Sequence, residues 1–168
     1  MRDVGVLIVR LVLGGLMAGH GAQKLFGWFG GHGLRGTAGW LESLGLRPGG
    51  GWAAVAGAAE FGGGVLTALG LLHPLGPLAV LASLVMAAAK AHWGKPIWVT
   101  SGGAELPLIN GAIALGLMLA GPGRFSADHA LGLRLPKPVI ALAVLATAAG
   151  VAAGLGCAMA KLKVMTNW

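Results

Sequence analysis

The sequence predicts an all-α integral membrane protein, a four-helix transmembrane bundle followed by a fifth, C-terminal transmembrane helix. Three observations predict it. Charged residues make up only 10% of the 168-residue chain, against roughly 25% in an ordinary soluble domain. Hydrophobic residues make up 56%, with 32 glycines besides, and the mean hydropathy is +0.80; a chain of this size exposes too much of its surface to hide that apolar area from water. The apolar residues also fall in runs long enough to span a bilayer, which takes about 20 residues each.

The first run covers residues 4–24 and is interrupted only by Arg10. Arg10 breaks the apolar core that a secretory leader needs, and His20, Gln23 and Lys24 follow without a small-residue cleavage pattern, so this run reads as a retained helix. Residues 26–51 are mixed and rich in glycine; within them, 34–44 pattern as a short amphipathic helix lying on the membrane surface. The second span is 52–72. His73-Pro74 leaves so short a linker that the third span, 75–91, must return antiparallel beside it. A loop over 92–104 carries Trp93, Lys95, Pro96 and Trp98. The fourth span, 105–120, ends at Gly121-Pro122-Gly123. A polar connector, 124–138, leads to the fifth apolar run, 139–160, and a basic tail, Lys161-Leu162-Lys163. The chain thus divides into a four-helix unit over 1–130 and a connector with a fifth helix over 131–168. Small residues at helix-contact spacing, Gly15/Gly19, Ala112/Gly116/Ala120 and Gly150/Gly154, point to close packing of helices within the chain or in a homo- or hetero-oligomer.

The charges exclude some classes and suggest a place for others. The net charge of +7 and pI near 10.6 come from basic residues scattered between apolar stretches, with no stripe or arm, so a nucleic-acid partner is not expected. The bilayer and its anionic headgroups are. Cys157 is the only cysteine, which rules out a disulfide scaffold and reads as a packed core thiol. If helix directions alternate, one membrane side collects His20, Gln23, Lys24, Glu60, Lys90, His92 and Glu105. His20, Gln23 and Lys24 share a helix face. Trp28, Trp40, Trp52, Trp93, Trp98 and, with five spans, Trp168 belong to the same side, as a cap over that half. The other side holds Arg2, Asp3, His73, Arg124, Asp128, His129, Arg134 and Lys137, nearly all in terminal or loop settings. Basic residues divide between the two sides, so the positive-inside rule gives no orientation.

Ionisable groups inside a span are costly and usually mark a functional interior. Each also has a structural reading. Glu60 can form an ion pair with Lys24, Arg10 can reach headgroups or pair with Asp128, Glu105 can cap its helix, and Lys90 reads as a snorkelling anchor. His20 and His92 can be held by ordinary hydrogen bonds.

The same residues resemble a known family. His20-Gly21-Ala22-Gln23-Lys24-Leu25-Phe26-Gly27 is similar to the HGxQKLFG signature of the DoxX family of small bacterial membrane proteins. Glu60-Phe61-Gly62-Gly63-Gly64, Ala91-His92 and Gly103-Ala104-Glu105-Leu106-Pro107-Leu108 agree in order and spacing. Gly121-Pro122-Gly123-Arg124-Phe125-Ser126-Ala127-Asp128 resembles the family's GPGRxSxD ending. The resemblance covers residues 1 to about 130 and implies a four-helix bundle in the bacterial inner membrane. It also implies kinship with DoxD/DoxX subunits of thiosulfate:quinone oxidoreductase and with partners in membrane redox complexes. The fifth helix and basic tail depart from the usual pattern and suit docking.

The leading expectation is a redox-associated subunit that binds a quinone headgroup. His20, Gln23, Lys24 and His92 would hold the headgroup, and Glu60, His20, His92 and Glu105 would hydrogen-bond it or exchange protons with it. Electrons would come from a membrane or peripheral redox partner, because the chain has no CxxC pair, flavin motif or iron–sulfur cysteines. The competing expectation is a non-catalytic accessory or assembly subunit in which the polar cluster only fixes the bundle. Haem or metal between His20 and His92 is a weaker reading, and transport finds no repeated pair of broken helices to support it.

Overall fold

Helix α1 runs from Arg2 to Phe26, with Asp3 in its first turn and Lys24 in its last, the placement that the helix dipole favours. Gly27 ends it at φ 74°, a left-handed conformation that costs glycine little. The computed structural model describes the backbone of residues 1–165 and the side chains of 1–157. The side chains of Lys161 and Lys163, and all of Trp168, lie outside the described residues. A short 3-10 turn leads to α2 (Gly33–Ser43), followed by α3 (Gly49–Leu69), α4 (Leu75–Ala91), α5 (Glu105–Ala120), α6 (Ala127–Leu131) and α7 (Lys137–Met165). Among the described residues there is no strand.

The bundle consists of α1, α3, α4 and α5, each packed on the next, with α1 also touching α5. The α1–α3 seam is the tightest. A Cβ on Gly14 would lie 2.5 Å from the Ala68 amide nitrogen, and one on Gly64 would lie 2.6 Å from the Gly14 carbonyl oxygen. Only glycine allows two backbones to approach this closely. Leu13, Met17, Val80, Leu84, Ala114 and Leu117 fill the bundle interior. A second cluster, Leu41, Leu46 and Ala53 with Trp52 and Met86, fixes α2 across the ends of α3 and α4. There the Glu42 carboxylate accepts from the Gly49 amide at 3.0 Å and so satisfies a free donor at the start of α3.

Helix directions alternate as expected. Arg2 at the start of α1 donates to the Ala120 carbonyl at the end of α5 (2.7 Å), and the Arg124 amide donates to Asp3 (3.1 Å). At the other end, Lys90 closing α4 donates to the Leu155 carbonyl of α7 (3.1 Å); it ties two helices rather than reaching for headgroups. Large apolar side chains cover the outside, among them Ile8, Leu11, Val12 and Leu16 on α1 and Leu142 and Leu145 on α7. That inverted pattern suits a protein dissolved in lipid. Three helices, Arg2–Phe26, Gly49–Leu69 and the Lys137–Cys157 part of α7, are long and apolar enough to cross a membrane; α4 and α5 are apolar but shorter, at 17 and 16 residues.

The third and fourth predicted spans match α4 and α5 end to end, and 34–44 falls within one residue of α2. Several expectations need correction. The second span is displaced three residues toward the N-terminus. The apolar run continues through Leu72, but Gly70 turns left-handed at φ 63° and ends the helix. The polar connector contains a short helix, α6, which Ser126 caps by accepting from the His129 amide at 3.2 Å. Gly15, Gly19, Gly116 and Gly150 have open space where a Cβ would stand, while Gly14, Gly21 and Gly154 are crowded. Spacing identifies a small-residue stripe, but the rotation of the helix decides which stripe is buried. Cys157 is exposed, because α7 meets the bundle along one face only.

Candidate functional site

Lys24 closes α1 and Glu60 lies in the fourth turn of α3, and the close α1–α3 seam brings them together as a direct ion pair between Nζ and Oε2. Gly21, one turn before Lys24, meets the Phe61 backbone so closely that a Cβ has no room. The same crowding that sets the helix distance therefore sets the pair. Thr37 of α2 donates to the Lys24 carbonyl at 3.4 Å and holds the amphipathic helix over this end of the bundle.

Glu60 is 6% exposed, and both charged side chains line one cavity of about 430 Å³. That volume lies within the range of small-molecule sites. Trp40 and Leu41 of α2 form one end of it, Trp52, Val55 and Ala56 of α3 one wall, and Ser83 and Met86 of α4 another. Ala146, Thr147, Gly150 and Val151 of α7 form the last wall. Lys24 and Glu60 use one hydrogen bond between them; Glu60 Oε1 and the other Lys24 protons have no protein partner among the described residues. A desolvated pair with spare donors and acceptors can hydrogen-bond a ligand carbonyl or hydroxyl at the apolar cavity's polar end.

The remaining members of the expected polar set are elsewhere. His20 is exposed on the outer face of α1, where its Nδ1 lies 3.2 Å from Gln23 Oε1. Gln23 in turn donates to the Phe29 carbonyl at 3.3 Å. His92 donates from Nδ1 to the Gly102 carbonyl at 2.7 Å. Glu105 does not cap its own helix: its carboxylate accepts from the Val99 amide at 2.8 Å, while its own amide donates to the Ile97 carbonyl at 2.9 Å. His92 and Glu105 therefore fasten the α4–α5 loop. His92 reaches a different space, an open apolar groove of about 840 Å³ between α4 and α5. Helix α4 stands between the two spaces, with Ser83 and Met86 on one side and Leu84 and Ala88 on the other. Of the expected site, the structure joins Lys24 to Glu60 and does not bring His20, His92 or Glu105 to them. It adds Trp40 and Trp52, whose only sequence signal was the one-sided distribution of tryptophan, and Ser83 and Thr147, which had none.

The opposite end holds Arg10, the most deeply buried charge among the described residues, and Asp128. Arg10, 3% exposed, donates to the carbonyls of Ala68 (3.2 Å), Phe125 (2.8 Å) and Pro122. Asp128, 6% exposed, accepts from the amides of Leu72 and His73, each at 2.8 Å. Burial holds the His73 imidazole below its ordinary pKa of 6.5; the Met118 carbonyl and Asp128 pull it upward, and Arg10 pushes it down. Backbone groups hold both charges and join the α3–α4 turn to the α5–α6 turn, although Arg10 Nε is buried without a hydrogen-bond partner.

Among the described residues, no cluster of three or more His, Cys, Asp or Glu side chains suits a metal ion. Compared with known proteins, residues 5–93 match the family model described as DoxX. No curated protein and no solved structure matches the chain.

Proposed function

The chain belongs to the DoxX family, and from that premise we propose that it is a redox-associated subunit of the bacterial inner membrane that binds a quinone headgroup. In this reading α1, α3, α4, α5 and α7 all cross the bilayer, with the neighbouring turns extending α4 and α5. The observation that carries the proposal is the Lys24–Glu60 pair lining an apolar cavity. Lys24 donates to a headgroup carbonyl, and Glu60 is placed to take or return a proton there. Trp40 and Trp52 offer flat apolar faces to the same cavity. Electrons are supplied by a partner protein, since the chain's own residues include no redox pair.

The test is quinone content after gentle purification from a bacterial membrane, together with quinone-dependent activity of the complex. Glu60→Gln keeps the size of the side chain but removes its charge and proton exchange. Loss of bound quinone supports the reading; wild-type quinone content and activity in the variant would falsify it.

A second reading, a non-catalytic assembly subunit, is favoured by one surface feature. Trp28, Phe29, Trp93 and Trp98 are all more than half exposed in the turns flanking this end, and exposed aromatics suit an interface. Trp93→Ala with Trp98→Ala should then release a co-purifying protein while leaving bound quinone unchanged.

A further inference from the structure

The wall that closes the Lys24–Glu60 cavity comes from α7, which lies outside the residues matched by the family model. Without α7 the pair would sit at the end of an open groove between α3 and α4. Helix α7 is held near its far end. Gly154 is pressed against Met86 and Trp52, where a Cβ would stand 3.1 Å from the indole and 3.2 Å from the Met86 sulfur, and Lys90 donates to the Leu155 carbonyl. Along its length α7 packs on α4 and makes no comparable approach to α3. The result is a seam with Val55 of α3 on one lip and Ala146 and Gly150 of α7 on the other. All three are exposed, although they line the cavity. Exposed Leu142 and Leu145 flank this region on α7, so the mouth opens at a surface suited to lipid rather than to water.

We propose that the α3–α7 seam is a lateral portal through which a membrane-dissolved molecule with a long apolar tail reaches the Lys24–Glu60 pair. The inference rests on the reading of that pair as a headgroup site, and it adds the route and the class of ligand. The head lies beside Lys24 and Glu60. The tail leaves past Val55 and Gly150 into the bilayer, so it need not be folded into a cavity of 430 Å³. Gly150 has open space where a Cβ would stand, and that missing side chain keeps the seam wide.

The experiment uses the full chain in lipid nanodiscs with two probes, a benzoquinone carrying a decaprenyl tail and the tail-less quinone with the same ring. Gly150→Leu narrows the seam from α7, and Val55→Trp narrows it independently from α3, so failure of one variant to fold leaves the other. Leu119→Phe, on the exposed surface of α5 and outside the cavity lining, is the control. Each seam variant should weaken the tailed probe about tenfold, equivalent to 1.4 kcal/mol, and change the tail-less probe less than about twofold. The portal is overturned if both folded variants bind the tailed probe like wild type, if both probes weaken in parallel, or if the control acts as strongly. Glu60→Gln separates the two claims. If it leaves both probes unchanged while the seam variants remain selective, the headgroup reading fails and the portal stands.

Discussion

Arg10 and Asp128 are the most deeply buried cation and anion at their end of the bundle, yet they do not form a direct ion pair. Arg10 donates from its two terminal nitrogens to three carbonyls, those of Ala68, Pro122 and Phe125, and leaves its buried Nε without a partner. Asp128 is satisfied by two amides, those of Leu72 and His73. Gly70 stands between them at φ 63°, where a Cβ would collide with the Arg10 guanidinium and lie 2.7 Å from the Ser126 Cβ. Each charge thus collects backbone groups left over where α3 and α5 end, and their mutual attraction is a longer-range supplement.

Asp128→Asn tests that arrangement. The carboxylate accepts from two amides at once, whereas an amide side chain offers one acceptor and sets its own donor against the second amide. The variant should lose about 1–3 kcal/mol, measured as a lower unfolding temperature in detergent. An unchanged transition would mean that the α3–α4 turn does not depend on Asp128.

Two adjacent glycines should respond with opposite signs. Gly14→Ala drives a methyl into the α3 backbone at Ala68 and should cost about 1–3 kcal/mol by overpacking. Gly15→Ala meets nothing within 4 Å and should stabilise α1 by up to about 1 kcal/mol through helix propensity. Denaturation of the two variants side by side checks the rotation of α1.

Acidification should weaken the fold through His73. Its pKa lies below the unfolded value of 6.5 because burial disfavours the imidazolium. Above 6.5 the ring is neutral in both states and its contribution is complete. As pH falls through 6.5 toward the folded pKa, the unfolded chain binds a proton that the folded chain refuses, so stability declines. Between about pH 7.5 and about pH 5.5, the wild type should lose more thermal stability than His73→Gln. Equal losses would remove His73 from the account.

Lys24→Met leaves Glu60 charged and without its partner in an apolar cavity and should cost about 2–3 kcal/mol. Adding Glu60→Leu should recover that loss to within about 1 kcal/mol, because a packed apolar pair can replace a buried ionic one. The double variant should fold yet retain no quinone. Retained quinone would move the headgroup site elsewhere.

Particular residues show how far the chain could be read in one dimension. Helices α4 and α5 were legible because proline and glycine punctuate their ends: Pro74 before Leu75, and Gly121-Pro122-Gly123 after Ala120. The end of α3 was not legible, because Leu71 and Leu72 extend the apolar run past the point where Gly70 breaks the helix. Lys24 and Glu60 were legible as a pair, since both are polar residues placed toward the same end of adjacent antiparallel helices. The separation of His92 from Glu60 was not, because it depends on α4 standing between them. Arg10 and Asp128 were visible as residues, but their bonds to carbonyls and amides depend on where four chain segments converge.

By itself the sequence determined the solvent, the order and alternation of the helices, and the end of the bundle where Lys24 and Glu60 lie. Those properties follow from hydropathy, helix length and short linkers, all of them local along the chain. The tertiary structure decided which stripe of each helix is buried, which polar residues share a cavity, and that α7 closes the cavity while leaving a seam beside α3. Those properties depend on helix rotation and on contacts such as Gly14 with Ala68 and Gly154 with Met86. Such contacts arise only when distant segments compete for the same space.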